Sequence, residues 1–149
     1  MTGIRFFSIT FRGQPWIKDL SDNLLSGLRV FLLEDEYLIA MDVEMLCMDN
    51  GAAEVIVKHQ LDDSNSGDPL PDFDVAVVDL VLSGKSTLPF AEKLAELGRP
   101  FVFASGYTDS IDVNRRFPGV PIVAKPYAGP ELVQAIASAA RSRNGVANL

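Results

Sequence analysis

Four short apolar runs, each closed by a polar or charged residue, constrain this chain more than any other feature. They are Val30-Phe31-Leu32-Leu33, Val75-Ala76-Val77-Val78, Phe101-Val102-Phe103-Ala104 and Ile122-Val123-Ala124. A strand that is apolar at every position is buried on both faces, which happens in a parallel sheet covered by helices on both sides. Ala53-Glu54-Val55-Ile56-Val57-Lys58 supplies a fifth strand, whose charged ends suit a place nearer an edge.

Helical patterns separate the runs. Tyr37 to Asn50 repeats Ile39, Val43, Leu46 and Cys47 at helical spacing and stops at Gly51. Leu88 to Leu97 aligns Phe90, Ala91, Leu94 and Leu97, with Gly98 and Pro100 beyond its end. A last helix opens near Pro130, buries Val133, Ile136, Ala137 and Ala140, and sets Arg141 and Arg143 toward its C-terminal dipole. A shorter helix is predicted from about Asp109 to Arg116, and His59 to Asp72 reads as a loop. Alternating strands and helices imply right-handed crossovers and a three-layer, doubly wound α/β sheet. Ligands of such sheets bind at the C-terminal ends of the strands.

Length and charge narrow the function. The chain has 149 residues, 48% hydrophobic and 22% charged, the size of one ordinary domain with a sizeable core. A net charge of −7 argues against binding a nucleic-acid backbone, which takes many Lys and Arg contacts. No apolar run is long enough to span a bilayer, and no basic start with an apolar stretch and cleavage site opens the chain. One cysteine, Cys47, allows neither an internal disulfide nor a zinc site and suits a reduced, cytoplasmic protein. Residues 1–28 differ in character. They hold Phe6, Phe7, Ile9, Phe11 and Trp16 and carry +1 beside −8 for the rest, and read as an extension packed on the 29–149 domain or on a partner.

The strand exits hold the chemistry: Glu34-Asp35-Glu36 after the first run, Asp79 at the third strand, Ser105-Gly106-Tyr107 after the fourth and Lys125-Pro126-Tyr127 after the fifth. Converging carboxylates raise one another's pKa unless a hard cation lies between them, and Mg2+ suits such a set because it takes few carboxylates and recruits phosphate oxygens. Asp79, ending an apolar strand, is costly to bury without a cation or hydrogen-bond donors.

These residues resemble the receiver domain of two-component response regulators over about Leu28 to Arg143. The acidic pair Glu34-Asp35, Asp79, Ser105 and Lys125-Pro126 stand in the family's order, with Asp35, Asp79, Ser105 and Lys125 spaced 44, 26 and 20 residues apart. Pro100-Phe101-Val102-Phe103-Ala104-Ser105-Gly106-Tyr107 and Asp79-Leu80-Val81-Leu82-Ser83-Gly84 before Pro89 are similar to the FAT GUY subfamily of stand-alone receivers, with Ser in place of its usual Thr at 105 and Val at 81 where Asn is frequent. The resemblance implies a flavodoxin-like five-stranded parallel sheet of order 2-1-3-4-5. It further implies Asp79 as phosphoacceptor, Ser105 and Lys125 as phosphoryl contacts, and Mg2+ on Glu34, Asp35, Asp79 and the Val81 carbonyl.

The implied partner is a sensor histidine kinase or histidine phosphotransfer protein that supplies the phosphoryl group. The output is a protein contact or a phosphate sink, since no output domain fits after residue 143. The chain is then a phosphoacceptor taking part in its own phosphotransfer and dephosphorylation, not an enzyme in its own right. Ile122 stands where many receivers have an aromatic switch residue; Tyr107 or Tyr127 is the candidate substitute, and Arg115-Arg116 mark a candidate partner face.

Three other readings compete. A haloacid-dehalogenase-like phosphatase needs an acid where Val81 stands. A flavodoxin needs a phosphate-cradling loop where Glu34-Asp35-Glu36 stands. A pseudo-receiver, binding proteins without phosphorylation, is the remaining alternative and is distinguished by Mg2+ affinity. His59 reads as a loop residue, Met41, Met45 and Met48 as packing, Cys47 as inert and Trp16 as an anchor.

Overall fold

The computed structural model describes residues 23–61, 70–106 and 111–147. The elements run β1 (Arg29–Leu33), α1 (Tyr37–Asp49), β2 (Glu54–Lys58), β3 (Val75–Asp79), β4 (Val81–Leu82), β5 (Lys85–Ser86), α2 (Leu88–Glu96), β6 (Phe101–Ser105), α3 (Ile111–Arg116), β7 (Ile122–Ala124) and α4 (Gly129–Ala147). The five predicted strands form one parallel sheet in the order β2-β1-β3-β6-β7, which is 2-1-3-4-5 counted over those strands. The fold is thus the flavodoxin-like doubly wound sheet, with Glu54–Lys58 at an edge and only half-buried.

Side-chain alternation sorts the sheet into two cores. Val30 and Leu32, Val75 and Val77, and Val102 and Ala104 face one side, where they meet Val43 and Cys47 of α1 and Leu132 and Ile136 of α4. Phe31, Leu33, Ala76, Val78, Phe101 and Phe103 face the other, against Ala91 and Leu94 of α2 and Val113 of α3. The second core is aromatic: Phe117 lies edge-on to Phe101 and Phe103, with ring centroids 5.9 and 5.2 Å away. Because every position of β3 is buried, the strand reads as an unbroken apolar run until Asp79.

Several details depart from expectation. Met41, Met45 and Met48 do not pack; they are exposed, because Ala40, Val43 and Cys47 take the side of α1 that meets the sheet. Periodicity alone could not decide this on a helix with apolar residues nearly all round. Arg141 and Arg143 are not in the last turn of α4, which runs on to Ala147. A hairpin unforeseen from sequence follows β3: β4 and β5 pair antiparallel across Ser83 and Gly84, both at positive φ (52° and 80°), as a two-residue primed turn requires. Arg116, one of the two arginines of the candidate partner face, is paired with Glu92 of α2, both side chains being exposed. Cys47 is buried, and burial, helped by Glu44, pushes its thiol up to about 12, in keeping with an inert residue. The packing expected of residues 1–22, Trp16 among them, the start of the α3 helix at Asp109, and Tyr107 lie outside the described residues.

The segment before β1 is anchored on the end of α1. Leu25 is fully buried, its N–H donates to the Asn50 carbonyl at 3.0 Å, and Gly27 N–H donates to the Gly51 carbonyl at 3.0 Å. Gly51 has φ +95°, and a Cβ there would stand 3.1 Å from Ser26 Cα and 3.3 Å from Asn23 Oδ1. Gly98 also has positive φ (+67°) but open space around it. Gly51→Ala is therefore expected to cost more than the ~1 kcal/mol that a strained backbone alone costs, and Gly98→Ala about that amount or less. Urea midpoints of the two variants at unchanged m-value check the ranking.

Candidate functional site

The C-terminal ends of β1, β3, β6 and β7 bring the sequence-predicted side chains to one edge of the sheet. Register does the placing: Asp79 pairs with Ala104 of β6, and Ser105 pairs with Ala124, one residue before Lys125. Ser105 is buried at the end of its strand and accepts the Lys125 N–H on its backbone carbonyl at 2.8 Å. The Lys125–Pro126 peptide is cis.

Lys125 Nζ lies 2.6 Å from Glu34 Oε1 and 2.8 Å from Asp79 Oδ2, so one ammonium joins the first and third strands. The three side chains are 14%, 1% and 8% exposed, which makes this a buried ion cluster. Glu34 accepts the Glu36 N–H on Oε2 at 3.1 Å, and Asp79 accepts the Val81 N–H on Oδ1 at 3.3 Å. Asp35 is half-buried and accepts the Ser83 N–H at 3.0 Å, so the β4–β5 hairpin clasps the acidic loop. Thr87 Oγ1 donates to the Asp79 carbonyl at 2.5 Å from the residue before α2, fixing the backbone of the strand end.

The electrostatics follow from burial and count. Desolvation pushes Glu34 above the ordinary carboxylate value, against the lowering effect of Lys125 and the Glu36 N–H. Burial alone would lower Lys125, but hydrogen bonds to Asp79 and Glu34 and their charges outweigh it and hold the ammonium above its usual value. Tyr127 presses against the α1–α4 core; its hydroxyl is buried without a hydrogen-bond partner among the described residues, and burial, with the negative charges of Glu34, Asp79 and Glu36, raises its pKa.

Glu34, Asp35 and Asp79 each offer one oxygen within 4.8 Å of the others. Three carboxylates against one ammonium leave an excess of negative charge on hard oxygen donors, a set that fits a divalent cation such as Mg2+. Glu34 and Asp79 are both already paired with Lys125, while Asp35 is the more accessible. Val81 starts the hairpin on the residue after Leu80, and its own N–H is spent on Asp79. Two contributors escaped the sequence reading: Thr87, whose Thr before a helix-opening Leu-Pro could have signalled a strand-end contact, and Ser83, whose Ser-Gly pair signals a tight turn but not its partner. His59 is a loop residue, as read from the sequence; its ring lies 3.9 Å from that of Tyr37 and its Nδ1 is 2.9 Å from the Glu34 carbonyl oxygen.

Solved structures carry the comparison with known proteins. The chain is similar to the N-terminal signal receiver domain of a two-component response regulator from Bacteroides fragilis, with 20% identity over 77% of this chain and 98% of that one and a TM-score of 0.59. A response regulator receiver protein from Sinorhizobium medicae matches with 21% identity over 80% and 98% and a TM-score of 0.60. The receiver domain of a Francisella response regulator matches with 18% identity over 78% and 98% and a TM-score of 0.61. The chain has the receiver fold. No family model and no curated protein matches the sequence.

Replacing Lys125 tests the cluster. Lys125→Met leaves two nearly buried carboxylates facing each other without a counter-charge and is expected to cost about 3–5 kcal/mol near pH 8 in Mg2+-free buffer. Protonating Glu34, already biased upward, relieves the variant, so its deficit shrinks as pH falls. In the unaltered chain the raised Lys125 value keeps the ammonium's contribution intact below the ordinary lysine range, to be lost only as pH climbs through the folded value. Denaturant unfolding of both proteins across pH measures the two trends.

Proposed function

We propose that this receiver fold is a working phosphoacceptor of a two-component phosphorelay, with Asp79 as the acceptor. The observation that carries the reading is the buried cluster at the strand ends, in which Asp79, Glu34 and Asp35 share oxygens within 4.8 Å and Lys125 stands 2.8 Å from Asp79 Oδ2. Phosphoryl transfer asks for alignment and charge stabilisation, and the cluster supplies groups for both.

An Asp79 carboxylate oxygen attacks the phosphorus of a phosphohistidine on a sensor kinase or histidine phosphotransfer protein. The new P–O bond forms as the P–N bond breaks, and the electron pair leaves with the imidazole nitrogen. Lys125, already at the carboxylate, pairs with a phosphoryl oxygen, and the Ser105 hydroxyl donates to another. Mg2+ would be held by Asp35, Asp79, the Val81 carbonyl and Glu34, and when bound it neutralises charge on the phosphoryl oxygens. Water attacking the phosphorus of the acyl phosphate returns free Asp79 and inorganic phosphate, which resets the site.

The new charge acts on loops that already touch Asp79, and the bias passes to a protein-binding face or ends in a phosphate sink. With Ile122 half-buried in β7, a rotating aromatic at that position is not the readout. The Phe-Val-Phe-Ala-Ser-Gly-Tyr stretch supports placement near the FAT GUY subfamily. Among the described residues no helix is long and apolar enough to cross a membrane.

A small phosphodonor such as acetyl phosphate, read by intact mass, tests the reading. The expected result is one added phosphoryl group that requires Mg2+ and is absent from Asp79→Asn. Ser105→Ala should label more slowly and still bind Mg2+. No mass gain together with no Mg2+ affinity overturns the phosphoacceptor and leaves a phosphorylation-independent binding module.

A further inference from the structure

We infer that residues 1–22 of this chain dock on the outer face of α1. That face is an apolar surface the fold leaves open. Met41, Met45 and Met48 stand 58%, 63% and 47% exposed and recur at helical spacing, and Leu38 extends the stripe toward the acidic loop at 77%. Of the exposed large hydrophobic side chains among the described residues, only Val81 and Leu97 lie away from α1. A stripe of methionines is an adaptable binding surface, because an unbranched thioether repacks around whatever covers it.

Three observations name the occupant. The first is where the described chain begins: Asn23 and Ser26 pack on Gly51, and Leu25 N–H is bonded to the Asn50 carbonyl, so Asn23 stands at the C-terminal end of α1 and the preceding segment is tethered there. The second is reach. The 13 residues of α1 make a face about 20 Å long. The preceding 22 residues cover roughly 33 Å even when fully helical. The third is complementarity. Exposed Asp42 and Asp49 flank the methionines on one side and Glu44 on the other. The segment carries Arg5, Arg12 and Lys18 with no acid before Asp19, and offers Phe6, Phe7, Ile9, Phe11 and Trp16 as apolar anchors. Burying those aromatics on the stripe removes two apolar surfaces from water at once and sets basic residues beside acidic ones. Since α1 starts at the Glu34–Glu36 loop, a segment lying along it borders the mouth of the acidic site.

Trp16 is the only tryptophan and reports on the segment directly in the full chain. The expected emission of the unaltered protein is blue-shifted from that of free tryptophan amide, shielded from acrylamide, and independent of protein concentration. Met45→Glu, or Met41→Ala with Met45→Ala if the charge disturbs folding by circular dichroism, should shift the emission toward the free value. Leu97→Glu, on α2's end, should leave it unchanged. Peroxide oxidation of Met41 and Met48 in the full chain, followed by mass spectrometry, should be slower in the unaltered protein than in Met45→Glu, where the segment no longer covers the face. A solvent-like Trp16 in the unaltered chain, or one indifferent to Met45→Glu, overturns the proposal. Shielding that fades on dilution overturns it in favour of a second copy of the chain on the same face.

Discussion

One ammonium between two buried carboxylates is the interaction on which the rest of this structure depends. Lys125 comes from the end of β7 at the sheet's margin, yet its Nζ meets Glu34 beyond β1 and Asp79 on β3. Taking three such charges out of water costs several kcal/mol per ion, and their attraction repays this only when the geometry is good. The cluster therefore demands a frame that fixes strand ends on different sides of the sheet. It also leaves an imbalance, because Asp35 adds a third carboxylate beside the pair. A site built this way is more comfortable with an additional cation and, once that is present, with an anion shared between cation and ammonium. The fold confers little stability through these residues; what it gains is a place with a strong and unsatisfied field.

The frame is the fully buried central strand. β3 is paired on both sides, to β1 and β6, and all five of its residues are buried, so it has no freedom to slip by one position without exchanging its two faces. Exchange would drive Val77 into the aromatic core and Val78 against α1 and α4. The close-packed phenylalanines on one face and the small and branched residues on the other make that costly. Packing far from the carboxylates thus sets the height of Asp79 relative to Ser105 and Lys125.

Much of this was legible in the sequence because burial on both faces writes itself as an unbroken apolar run, and the residue that breaks the run is the one at the sheet edge. The five strands, their order, and the convergence of Glu34, Asp35, Asp79, Ser105 and Lys125 follow from that rule and the family likeness. Partners made through the backbone were not legible. Ser83 N–H finds Asp35, and Val81 N–H finds Asp79, and a main-chain donor carries no residue identity to read. The facing of α1 was also hidden. Helical periodicity gives a stripe, but α1 has two, Ala40-Val43-Cys47 and Met41-Met45-Met48, and only the space available against the sheet selects the smaller side chains.

The contacts around Asp79 also form a circuit. Its Oδ2 meets Lys125 of the β7–α4 loop, its Oδ1 meets the Val81 N–H of the hairpin, and its carbonyl takes the Thr87 hydroxyl at the start of α2. The same hairpin holds Asp35 through Ser83, and Glu34 next to it returns to Lys125. A change of charge at the Asp79 carboxylate would act on Lys125 and through it on Glu34, and would compete with the Val81 N–H for the oxygen that steadies the hairpin. In this fold a change of charge at Asp79 needs no long path, because the loops that surround Asp79 also begin α1, α2 and α4.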